Sequence, residues 1–156
     1  FLALLNMAGM DAEGCDISQE TAKFLHENFG VDVRACAFED YPGKDEYNII
    51  FSSHLIEHYY EPRLFMITAK RLLTTPGYLW IYTPDLDQSN GLDPAWHHFQ
   101  TRHPHEHMCV LSAKSIRTLA WATGFQVIHT ERHEKYGSIE AILLSEPAGI
   151  HRGHAL

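Results

Sequence analysis

The chain has 156 residues, 45% hydrophobic and 21% charged, a composition that suits one globular domain with its own core. A formal net charge of −8 and a pI near 5.8 supply no basic field of the kind that grips phosphate backbones or anionic membranes, so nucleic-acid and membrane partners are disfavoured. Cys15, Cys36 and Cys109 are odd in number and lack CxxC spacing, which points to a reducing, cytoplasmic setting rather than a disulfide framework, and no apolar run reaches the roughly 20 residues that span a bilayer.

The sequence opens at Phe1 rather than methionine, and Leu2 to Ala8 reads as an amphipathic helix already under way, so the expected natural start lies upstream. Gly14 to Ile17 reads as the end of a short strand, and Ser18 as the N-cap of a helix whose Ala22, Leu25 and Phe29 recur at helical spacing until Gly30. Val31 to Ala37 alternates at period two and predicts a strand, followed by a Pro42-Gly43 turn. The continuous apolar run Asn48 to Phe51 predicts a parallel strand covered on both faces. Pro62 suits the first turn of the next helix, striped by Phe65, Ala69 and Leu72 and ended at Pro76-Gly77, before a strand at Tyr78 to Tyr82.

Residues Pro84 to Pro104 are rich in Asp, Asn, Gly, Pro and His and read as a long functional loop. Ser112 caps a further helix that closes at Gly124, and Val127 to His129 and Ile139 to Leu144 are the last two strands, the final one antiparallel to its neighbour. Strands alternating with helices predict an α/β fold with a mostly parallel sheet and helices on both faces. Ligands of such sheets bind outside the carboxyl ends of the strands, and Asp16, Glu39-Asp40, Ser52 to His58 and Thr83 to Asp85 all fall there.

The ordered set Gly14-Cys15-Asp16-Ile17-Ser18, Phe38-Glu39-Asp40-Tyr41-Pro42, Ser53-His54-Leu55-Ile56-Glu57-His58, Pro76-Gly77-Tyr78, Thr83-Pro84-Asp85 and Glu106-His107 resembles the class I S-adenosylmethionine-dependent methyltransferases. The likeness runs from Phe1 to about Leu144 and is nearest to the small-molecule branch that includes the ubiquinone-type O-methyltransferases. It implies a Rossmann-like, doubly wound sheet with an antiparallel C-terminal strand. It also implies a partial methyltransferase domain over residues 1–146, with 84–107 as an acceptor-side loop or lid and 147–156 as a tail. The family's first strand and glycine-rich loop are absent from this sequence, so weak binding of S-adenosylmethionine by these 156 residues is expected.

By this resemblance Asp16, at a strand end, accepts hydrogen bonds from both ribose hydroxyls of the cofactor, with Ile17 beside it. Phe38 and Glu39 border the adenine, although Ala37 stands where the family commonly carries an acidic residue. Ser53 lies near the methionine moiety. His58, and after it His54, are the candidate bases for a small-molecule hydroxyl acceptor, with Trp96 and His107 on the acceptor side.

Two other readings of the residues stay open. His54-Leu55-Ile56-Glu57-His58 has the H-x-x-E-H spacing of inverted zinc peptidases, which requires a helix, and a noncatalytic, methyltransferase-like binding protein would tolerate Ala37. The irregular spacing of His97, His98, His103, His105 and His107 matches no tight ligand set, so no metal site is assigned. Acceptor identity and oligomeric state are not encoded legibly.

Overall fold

The computed structural model describes residues 1–87 and 106–146, and these divide into two compact units, Phe1–Pro42 and the part that begins at Gly43. In the first, helix α1 (Leu2–Met7) precedes strand β1 (Gly14–Asp16), helix α2 (Gln19–Phe29) and strand β2 (Val33–Ala35). β1 and β2 pair in parallel, Gly14 opposite Val33 and Asp16 opposite Ala35, so both strands end on one rim. Helix α2 starts where expected: the Ser18 hydroxyl accepts from the Thr21 amide at 3.1 Å. It stops at Gly30, whose φ of 64° is a left-handed conformation that glycine adopts without a Cβ penalty. β2 is shorter than its alternating pattern suggests, and Phe29 turns outward to meet Phe24 edge-on rather than entering a core.

The second unit holds β3 (Tyr47–Ser53), α3 (Pro62–Leu72), β4 (Leu73–Pro84), α4 (Ala113–Ala122), β5 (Phe125–His133) and β6 (Ser138–Ser145). The sheet order is β3-β4-β6-β5, with β3 parallel to β4 and β6 antiparallel to both β4 and β5. The predicted architecture is thus present: a mostly parallel α/β sheet with an antiparallel C-terminal strand. Leu79, Ile81 and Thr83 of β4 share a buried face with Ile139, Ala141 and Leu143 of β6, and buried Phe65, Met66, Ala69 and Leu72 of α3 with Ile116 and Ala120 of α4 complete that core. Each large side chain so buried contributes on the order of 1.5–3 kcal/mol.

Three local readings differ from the structure. Helix α3 ends at Leu72 rather than at Pro76-Gly77, because β4 already begins at Leu73, pairs there with Tyr47, and runs on through Pro76. Strand β5 extends to His133, since its backbone stays paired with β6 although residues 129–133 carry no apolar alternation. Within this unit and among the described residues, helices cover one face of β3, the face opposite Ile49 and Phe51, which are 53% and 40% exposed.

Candidate active site

In the first unit the rim is acidic. Asp16 closes β1 half-buried, and its Oδ1 accepts from the Ser18 amide at 2.8 Å, which fixes the carboxylate at the mouth of α2. Among the described residues its second oxygen has no hydrogen-bond partner, so the carboxylate retains acceptor capacity for a ligand's hydroxyls. Ile17 is 80% exposed beside it. Phe38 and Glu39 form a single 3-10 turn just beyond β2, on the same rim by the parallel register, with Phe38 half-buried and Glu39 exposed. The charge is felt locally: the Cys15 thiol is pushed up to about 11, chiefly by burial, then by Cys36, Asp16 and Glu39. A fixed carboxylate with spare acceptor capacity suits a ligand edge made of donors, such as a vicinal diol, so Asp16 fits the ribose of a nucleoside cofactor.

In the second unit the site is built where β3 ends. Ser53 stands exposed opposite Tyr82, and His54, with φ of 50°, turns the chain sharply while its amide donates to the Tyr82 carbonyl at 2.9 Å. Ile56–His58 is then one 3-10 turn. Glu57 within it is wholly buried: Oε1 lies 3.0 Å from His54 Nδ1, and Oε2 accepts from Thr83 Oγ1 at 2.9 Å. The Glu57 main-chain carbonyl accepts from the amides of Met108 and Cys109 at 2.8 and 3.1 Å. His58 is exposed, and its Nδ1 lies 2.6 Å from the Glu106 carbonyl. A carbonyl only accepts, so His58 donates through Nδ1 and, when neutral, keeps Nε2 as an open acceptor. His107 stacks edge-on against His58 at 5.1 Å.

The structure therefore brings Ser53, His54, His58 and His107 to one rim of the second unit, and Asp16, Ile17, Phe38 and Glu39 to one rim of the first. Trp96, most of the 84–107 loop and the 147–156 tail lie outside the described residues. The inverted zinc-peptidase reading is overturned: residues 54–58 form a turn rather than a helix, so His54 and His58 do not share a helix face. Among the described residues Glu57, His58 and His107 do bring three ligand-type atoms within 4.8 Å of one another. Both Glu57 oxygens already accept one hydrogen bond each, so an ion there would share its oxygen with His54 or Thr83.

Two features escaped sequence reading. The burial of Glu57 has no local signal, since a carboxylate between Ile56 and His58 looks like a solvated turn. Asp85 was legible as a rim residue, but not its partner: it is wholly buried, accepts from the Asp87 amide at 3.0 Å, and has Arg132 Nε 3.1 Å from Oδ2 as a charge contact without hydrogen-bond alignment. Arg132 also pairs with Asp87, tying the end of β4 to the end of β5.

A family model described as a methyltransferase domain matches residues 1–130. No curated protein matches the sequence. Among solved structures, a chain of the Haloferax volcanii complex between the Trm112 methyltransferase activator and a protein assigned as a methyltransferase superposes with a TM-score of 0.77 at 14% identity, covering 93% of this chain and 76% of that one. The Burkholderia thailandensis 1,6-didemethyltoxoflavin-N1-methyltransferase, solved with 1,6-didemethyltoxoflavin and S-adenosylhomocysteine, gives 0.70 at 12% identity over 93% of this chain and 65% of its own. A Methanosarcina mazei S-adenosylmethionine-dependent methyltransferase gives 0.71 at 10% identity over 92% and 85%. At these identities the likeness shows a shared fold, the class I Rossmann-like one, and no more.

Proposed function

The chain belongs to the methyltransferase-domain family, and from that premise we propose that it transfers a methyl group from S-adenosylmethionine to a small-molecule acceptor by in-line displacement. The observation that carries this reading is Asp16: a strand-end carboxylate, pinned by the Ser18 amide through one oxygen and retaining acceptor capacity on the other. It would take the ribose hydroxyls, with Ile17, Phe38 and Glu39 along the nucleoside and Ser53 toward the methionine end. S-adenosylmethionine supplies, when bound, a methyl group already activated on a sulfonium. The protein's own work is then alignment and exclusion of water, with no covalent nucleophile required.

For a hydroxyl acceptor the proton must go to a base, and His58 Nε2 is the first choice because its Nδ1 is committed to the Glu106 carbonyl. His54 is the second, and His107 and Trp96 belong to the acceptor side. A ubiquinone-type phenolic acceptor is consistent with an imidazole base, as is the small-molecule branch as a whole. A noncatalytic binding protein of the same fold is favoured by the half-buried Ala37, which offers the adenine amino group no carboxylate.

Asp16→Asn tests the proposal. The amide oxygen can still accept from the Ser18 amide, so stability should hold, while the ribose diol loses a charged acceptor worth about 1.5–3 kcal/mol. Calorimetric titration of the full-length natural polypeptide with S-adenosylhomocysteine, wild type against variant, should show affinity lower by about 10- to 150-fold. An unchanged affinity would refute the assignment of Asp16.

A further inference from the structure

Glu57 has no exposed surface, and among the described residues no lysine or arginine pairs with it. A carboxylate buried without donors costs several kcal/mol, so its two short contacts, to His54 and to Thr83, hold it in place. An ionised carboxylate accepts and does not donate, so His54 presents Nδ1–H to it and, when neutral, leaves Nε2 open. The same residue acts on the second imidazole by another route. Its main-chain carbonyl receives the amides of Met108 and Cys109, and the Cys109 thiol donates to the neighbouring Ile56 carbonyl at 3.4 Å. These bonds pin the segment that carries the Glu106 carbonyl, which in turn holds His58 Nδ1 at 2.6 Å.

We infer that Glu57 is the positioning residue of this rim, fixing His54 through its carboxylate and His58 through its main-chain carbonyl, so that both imidazoles present Nε2 outward as proton acceptors. The inference rests on the reading of His54 and His58 as candidate bases. It adds that their tautomers are set from below by one buried residue, and that the two routes are separable: a side-chain substitution at position 57 should release His54 and spare His58.

The experiment is long-range proton–nitrogen NMR of the nitrogen-15-labelled full chain, read above the pH at which the imidazoles carry charge. In the wild type both rings should carry their proton on Nδ1. Glu57→Met keeps a buried unbranched side chain and the main-chain carbonyl but removes both carboxylate oxygens. His54 should then lose its Nδ1–H majority in favour of the Nε2–H form, while the His58 signals stay in place. A wild-type His54 protonated on Nε2 overturns the inference, as does a variant in which both rings shift together or neither shifts. Should the variant fail to fold, the wild-type spectrum still decides. S-adenosylhomocysteine binding by the full-length natural polypeptide, measured separately, reports on the cofactor reading: absence of binding with Nδ1–H tautomers intact would sink that reading alone, and binding with Nε2–H on His54 would sink this one alone.

Discussion

Lys70, in the last turn of α3, ends as a clip that joins three elements. Its Nζ donates to the Gly124 carbonyl at 2.9 Å, the Ser145 hydroxyl at 2.8 Å and the Glu146 carbonyl at 2.9 Å, and it stands 5.1 Å from the centroid of the Phe125 ring. All three ammonium protons are therefore used, and burial lowers the pKa of the group against a smaller opposing effect of Glu146. Lys70→Met keeps the aliphatic stem and removes the donors. The two carbonyls can regain water, but the Ser145 hydroxyl has no exposed surface, and leaving it without this partner costs on the order of 1–3 kcal/mol. A cation–π contribution of about 0.5–1 kcal/mol and the weakened bonds to the carbonyls bring the expected loss to roughly 3 kcal/mol. With a urea slope on the order of 2 kcal/mol per molar, the unfolding midpoint should fall by about 1.5 M. The control is Lys114→Met on the exposed side of α4, which should move it little. Equal midpoints for the two variants would refute the reasoning.

Other consequences concern reactivity and chemistry. With its thiol pushed up to about 11 from an ordinary 9.0, Cys15 should carry about 100-fold less thiolate at pH 8 in the folded chain than in the chain unfolded in urea. Alkylation followed by peptide mass mapping should show it slowed accordingly, and equal rates in the two states would contradict the burial argument. His58→Asn should lower methyl transfer to a hydroxyl acceptor by about 10²- to 10⁴-fold while S-adenosylhomocysteine affinity stays within about twofold; a parallel loss of affinity would mean that the ring binds cofactor instead.

Much of the fold was legible because its punctuation is local. Ser18 and Gly30 bound α2, Pro62 opens α3, and Ser112 with Ser115 forms a reciprocal cap on α4. What was not legible depends on distant partners. Leu73 to Gly77 looks like a helix end and a turn until Tyr47 and Ser145 pair with its two ends, and Thr130 to His133 looks like loop until β6 pairs with it across Ser138 to Ala141. Ile49 and Phe51 read as doubly buried because an apolar run does not say which of its faces will be covered. In the candidate site the residue types were readable and the supports were not: Asp16, His54 and His58 stand out by chemistry and position. The roles of Glu57, Thr83 and Arg132 follow only from burial and from contacts across 26 to 47 residues of sequence.

The central claim is that the Asp16 carboxylate receives a ribose diol. A crystal structure of the full-length natural polypeptide with S-adenosylhomocysteine measures this directly. The account predicts an Asp16 oxygen within about 2.5–3.0 Å of a ribose hydroxyl, with the Ser18 amide still bonded to the same side chain. A bound nucleoside whose hydroxyls meet other groups, with Asp16 facing water, would contradict it.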